Sequence, residues 1–138
     1  MTETFRKILG ASGAIIKDKT LGNLKSYFPN AFKKGSRYSD TIADAVRMSI
    51  LKDNVHYSTE KKAIVHIMGT RKSTSGTFRA RFFEKTTGER KTKSGESRGR
   101  IEGLHFFRDA IAEAAPRAFA DADARLKEML SRIQNATQ

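Results

Sequence analysis

The chain contains no cysteine and no tryptophan, and only two prolines and three histidines among its 138 residues. Without cysteine there is no disulfide framework, no thiolate nucleophile and no cysteine-ligated metal, a composition that fits the cytosol. No stretch approaches the roughly 18 consecutive apolar residues of a membrane span; the longest candidate, Gly10 to Ile16, is too short. The N-terminus lacks the uninterrupted apolar block of a signal peptide, so a soluble protein is expected. His56 and His66 lie ten apart in β-like context, and His105 has no carboxylate at ligand spacing. Zinc sites need several converging ligands, so no metal is expected. The stretches Gly69-Thr70-Arg71-Lys72 and Lys93-Ser94-Gly95 lack the glycine spacing of a phosphate loop. No catalytic residue, cofactor or small-molecule substrate is therefore expected. A ribonuclease-like activity on His56 or His66 is the one enzymatic alternative, because histidine with arginine suffices for phosphodiester cleavage.

What the chain does have is charge. Its 27 Lys and Arg against 15 Asp and Glu give a net +12, and the excess is regional. Residues 5 to 38 hold eight basic groups against Asp18, and residues 71 to 100 hold ten against Glu84, Glu89 and Glu96, so each segment carries +7. The stretches 39 to 70 and 103 to 138 are balanced, at four against four and five against five. Two positive segments on one small domain point to a polyanion or an acidic partner, with solubility as the plainer explanation.

The length suits one domain, 1–138, with one modest core. Phe5, Ile8 and Leu9, and then Leu21, Leu24, Tyr27 and Phe28, fall at helical spacing and predict two helical pieces in a basic N-terminal region, 1–38. Pro29 marks a boundary. Ser39-Asp40 offers a cap, and Ile42, Ala43, Val46, Ile50 and Leu51 predict a helix over 39–53. A sheet region, 55–102, follows. It has strands starting at Val55-His56-Tyr57, spanning Ala63 to Met68, and over Thr77 to Lys85, where Phe78, Ala80 and Phe82 alternate with Arg79 and Arg81. Residues 86–99 contain nothing that could anchor them in a core and predict a mobile loop or the tip of an extended hairpin. Leu104, Phe107 and Ile111, then Phe119, Ala122, Leu126, Met129, Leu130 and Ile133, predict a C-terminal helix over 104–134, kinked or restarted at Pro116. The fold class is thus α+β: N-terminal helices, a small antiparallel sheet with a long charged hairpin loop, and a C-terminal helix or kinked helix pair.

The residues that recommend themselves for partner or DNA contact are Arg79, Arg81, Lys85, Arg90, Lys91, Lys93, Arg98 and Arg100. Arginines and lysines in this density match phosphates or acidic side chains, and Phe83 beside them offers a face for stacking on a base. Phe78 and Phe82 alternate as core residues do. No helix-turn-helix, zinc finger or aromatic RNA-binding signature accompanies them.

The run Gly76-Thr77-Phe78-Arg79-Ala80-Arg81-Phe82-Phe83-Glu84-Lys85-Thr86-Thr87, the charged loop after it, and Arg98-Gly99-Arg100-Ile101-Glu102-Gly103-Leu104-His105-Phe106-Phe107-Arg108-Asp109-Ala110 occur in a suggestive order. From about Ser39 onward the chain resembles the gene-product-ten-like tail component family of long-tailed phages and prophages. There, an aromatic-glutamate strand and a Gly- or Thr-containing loop lead to a Phe-x-x-x-Ala helix start, and Phe82-Phe83-Glu84 and Phe107 to Ile111 hold those places here. The resemblance implies a neck or tail-completion protein of the virion, made in the host cytoplasm. Such a protein forms a homo-oligomeric ring between the head connector and a tail-terminator or tail-tube protein, with DNA passing through. The resemblance leaves open whether the basic loop faces DNA or protein. A free-standing basic nucleic-acid-binding domain is the alternative.

Overall fold

A computed structural model describes residues 2–35, 41–50, 63–67 and 75–138. It is mostly helical. Helix α1 spans Thr2–Tyr27, strands β1 and β2 span Val46–Ile50 and Ala63–Ile67, helix α2 spans Ser75–Glu84 and helix α3 spans Phe106–Ala136. Short 3-10 turns at Pro29–Phe32 and Ala43–Ala45 join α1 to β1.

The two helical pieces expected in the N-terminal region are one uninterrupted helix of 26 residues, about 39 Å long at 1.5 Å per residue. Glycine inside a helix costs about 1 kcal/mol relative to alanine. At Gly10 the missing side chain makes room for β1: a Cβ there would lie 3.3 Å from Ile50 Cδ1. The helix ends where Pro29 requires, and the proline opens the following 3-10 turn, in which its lack of an N–H is harmless.

The helix expected over 39–53 is not formed by its described residues. Thr41 and Asp44 do build a reciprocal cap: the Thr41 N–H donates to Asp44 Oδ2 at 2.8 Å, and the Asp44 N–H to Thr41 Oγ1 at 3.1 Å. That cap starts a single 3-10 turn, after which Val46–Ile50 is extended. Val46, Met48 and Ile50 satisfy a period of two as well as a helical one. Pairing decides between them, because β1 runs antiparallel to β2 with Val46 opposite Ile67 and Ile50 opposite Ala63. The expected strand over Ala63 to Met68 is present as β2, whereas the one expected to start at Val55 lies outside the described residues.

The strand expected over Thr77 to Lys85 is helix α2 instead. Its alternation of Phe and Arg imitated a strand, but Ala80 and Phe83, three apart, both meet the core. The described sheet is therefore a two-stranded ladder. The C-terminal region is one helix of 31 residues with Pro116 inside it rather than two helices. The exposed proline removes one intrahelical hydrogen bond, and packing along the rest of the helix outweighs that loss.

Helices α1 and α3 lie antiparallel along their length. Ser12 donates to Asp121 at 2.9 Å, Lys19 pairs with Glu113 at 2.6 Å, and Asn23 Nδ2 donates to the Phe106 carbonyl at 3.2 Å, so rising positions on one helix meet falling positions on the other. The contact face of α3 is Ala110, Ala114 and Ala118, all buried, against Ser12, Gly13 and Thr20 of α1. Small residues four apart on one face let the two backbones approach closely. At the end of this pair nearest α2 the core gathers Leu24, Ala31, Ile42, Ala43, Ala45, Val46, Ala80 and Phe106. Phe28 and Phe83 stack over it with ring centroids 4.5 Å apart and planes 21° from parallel.

Candidate functional site: a basic hairpin on a clamped base

Between α2 and α3 the chain leaves the core from Lys85 to Glu102 and returns. The outward and inward arms are laced by main-chain hydrogen bonds: Thr87 N–H to the Ile101 carbonyl at 2.9 Å, Arg90 N–H to Gly99 at 3.0 Å, and Arg98 N–H back to Arg90 at 2.6 Å. Lys91 and Ser97 face each other as an antiparallel bridge. At the tip Thr92 organises the turn. Its N–H donates to the Glu96 carbonyl at 2.8 Å and its hydroxyl accepts from the Glu96 N–H at 3.0 Å. Gly95 and Gly99 hold positive φ of 88° and 66°, which only glycine adopts without strain. Residues 86–99 thus form the tip of an extended hairpin, one of the two arrangements their composition predicted.

The base of the hairpin is clamped by several contacts at once. The Glu84 carboxylate accepts from the N–H groups of Phe107 at 2.9 Å and Arg108 at 3.0 Å, capping α3 from the last residue of α2. A carboxylate at a helix N-terminus satisfies orphan donors and complements the helix dipole. Leu104 N–H donates to the Phe83 carbonyl at 2.7 Å, and Thr86 and Thr87 hydroxyls accept from the Gly103 and Ile101 N–H groups. The strands at this crossing are so close that a Cβ on Gly103 would lie 2.6 Å from Thr86 N and 2.7 Å from the Glu84 carbonyl oxygen. His105, the residue before α3, takes the left-handed conformation at φ 52° to aim the chain into the helix.

The eight residues proposed for partner contact divide on this scaffold. Arg79 and Arg81, expected side by side on one strand face, are two apart on a helix and so project about 200° from each other. Arg79 is half-buried and Arg81 exposed. Arg81 and Lys85, four apart, share a face, and with Phe82 and Thr87 they line a shallow depression at the foot of the hairpin. Lys85, Arg90, Lys91, Lys93, Arg98 and Arg100 are all exposed along the hairpin. Arg90 also donates to the Arg98 carbonyl at 3.4 Å, and Arg100 pairs with Glu102 at 2.9 Å. Six cations against Glu89, Glu96 and Glu102 leave a hairpin of net +3 that projects from the core. The ring of Phe83, proposed for base stacking, is instead stacked on Phe28.

The first basic segment is arranged differently. Its described charges are spread along α1 and the following turn, and Arg37 lies outside the described residues. Lys19 is committed to Glu113, and Lys33 and Lys34 are exposed beyond the helix end. Of the histidines, His56 lies outside the described residues, His66 is in β2, and His105 precedes α3. Among the described residues no three His, Asp or Glu side chains converge as a metal site, and no helix is long and apolar enough to cross a membrane.

The role of Glu84 had no local signal in the sequence. It acts on residues 23 and 24 positions away, so no cap spacing reveals it. The same holds for Gly103, whose need for a bare backbone appears only when the two ends of the hairpin cross. No protein-family model, curated protein or solved structure matches the chain.

Proposed function

We propose that this chain is a structural virion protein of the neck or tail-completion type, a non-catalytic subunit that assembles into a ring between head connector and tail and leaves a path for DNA. The observation that carries this reading is the basic hairpin of residues 85–102. It protrudes from the core and is exposed at its cations, yet its base is fastened by the Glu84 cap and the Gly103 crossing. A rigid, positively charged projection suits insertion against an acidic neighbour or along a phosphate backbone, because its binding geometry is set before contact. The order of motifs around it resembles that of phage tail components and suggests the biological setting, with the difference that Phe82-Phe83-Glu84 ends a helix here and not the strand that the resemblance implies. Removing residues 86–99 in a phage or prophage that carries the gene is expected to leave filled heads and separate tails under the electron microscope. Joined, infectious particles would end the proposal.

The depression framed by Arg81, Phe82, Lys85 and Thr87 favours a second reading, direct binding of nucleic acid by the isolated domain. Counterion release makes such binding fall steeply with salt. Tight, salt-sensitive DNA binding by a monomer would support it over the neck reading, and weak DNA affinity in an oligomer of defined size would oppose it.

A further inference from the structure

The hairpin carries charges of both signs on a fixed frame, and the two signs are unevenly placed. At its foot Arg81 and Lys85 have no free carboxylate beside them, because Glu84 is committed to the Phe107 and Arg108 N–H groups. Further out, Glu102 is paired with Arg100 at 2.9 Å. Glu89 and Glu96 are exposed and have no ion-pair partner among the described residues, although Arg90, Lys91, Lys93 and Arg98 lie within a few positions of them. The outer part of the hairpin therefore presents four cations and two anions to its surroundings.

Three features disfavour a phosphate backbone as the partner of this outer part. Such a backbone is negative throughout, so Glu89 and Glu96 would be repelled wherever the neighbouring cations made contact. Main-chain N–H groups, a common source of phosphate contacts, are spent within the hairpin, from Thr87 near its foot to Gly95 and Glu96 at its tip. Residues 85–102 contain no aromatic side chain, and Phe83 before them is stacked on Phe28, so no platform for a base is offered. A protein surface, by contrast, can present both signs, and complementary patterns of charge fix register and reject wrong partners. The excess of cations calls for a surface that is mainly acidic, with a cation opposite Glu89 or Glu96. Among the described residues a second copy does not supply it. Helix α1 is basic, and Glu113, Asp121, Asp123 and Glu128 of α3 are each paired with a cation of their own chain.

We propose that the outer part of the hairpin, residues 89–98, docks on a mainly acidic surface of a different protein chain and not on DNA, with Glu89 and Glu96 acting as register-setting contacts beside the cations. This inference rests on reading the hairpin as the assembly element of a neck protein, and it names the partner that reading leaves open.

The carboxylates provide the test, because the two partners respond to their removal with opposite signs. Glu89→Gln combined with Glu96→Gln raises the hairpin from +3 to +5. Carried in the phage, this variant is expected to reduce joined, infectious particles about tenfold, with the melting temperature of the purified chain unchanged, and Glu89→Asp with Glu96→Asp should recover most of the loss. A phosphate partner would bind the glutamine variant as well as the wild type or better, so undiminished joining would overturn the proposal. The second measurement is the affinity of the purified full chain for a fluorescent 30-base-pair DNA duplex at 0.15 M salt. Replacing Lys91, Lys93 and Arg98 together with glutamine is expected to change it less than about threefold, and a loss of tenfold or more would overturn the proposal in favour of DNA. Either of those failures leaves the neck reading standing. Intact joining after removal of residues 86–99 would instead end the neck reading and this proposal with it.

Discussion

The helical pair α1/α3 and the basic hairpin are stabilised by different means. The pair is held by side chains: fully buried Leu24 and Phe106 at one end, an alanine face along the middle, and cross-helix polar contacts. The hairpin contributes almost nothing to the core and is held by main-chain hydrogen bonds, threonine hydroxyls and a helix cap. The difference separates stability from binding. Charges on the hairpin can be changed with little effect on the fold, while its base and the helical pair cannot.

The most damaging change on the helical side is expected to be Phe106→Ala, which empties a fully buried aromatic site and should cost about 3–4 kcal/mol in urea unfolding. At the junction of the two regions, Gly103→Ala places a methyl group against three backbone atoms and should cost about 2–3 kcal/mol. A loss below about 1 kcal/mol there would mean the crossing relaxes easily. Glu84→Ala should cost about 1 kcal/mol by uncapping α3, and hydrogen exchange should quicken at Phe107 and Arg108 before it does at the centre of the helix.

A smaller effect comes from pH. The Arg125 guanidinium, and after it the Ser12 hydroxyl, hold the Asp121 carboxyl below the ordinary value of 3.8. A carboxylate lowered on folding contributes stability that is complete above its unfolded value and is lost as pH falls through the folded one. Melting temperature should therefore drop less steeply in Asp121→Asn than in the wild type between about pH 5 and pH 2. The smallest effect is expected on the hairpin itself. Replacing Arg90, Lys91 and Lys93 with glutamine should shift stability by less than about 0.5 kcal/mol while reducing affinity for acidic or nucleic-acid partners and flattening the salt dependence. A large loss of stability from that variant would erase the distinction between the two regions.

Where sequence patterns misled, two periods competed. Val46 to Ile50 fits both a helix and a strand, and only the presence of Ala63–Ile67 alongside selects the strand. Thr77 to Lys85 alternates convincingly, yet Ala80 and Phe83 reach the core together only from a helix. Where a single strong signal acted, it was legible: Pro29 at the end of α1, the β-branched run of β2, and a hairpin with no core-forming side chain. The candidate site was legible in its composition, since Lys85 to Arg100 are the exposed cations expected, but not in its support.

The amino-acid sequence alone determined the charge map, the absence of cysteine chemistry, the long C-terminal helical segment and the location of the basic projection. Each of these depends on composition or on neighbours within a few residues. Tertiary structure alone decided that α2 is a helix, that Phe83 stacks on Phe28, that Glu84 caps α3 and that Gly103 must lack a side chain. Each of those depends on residues far apart in the chain meeting at one point, and no local period or spacing encodes that meeting.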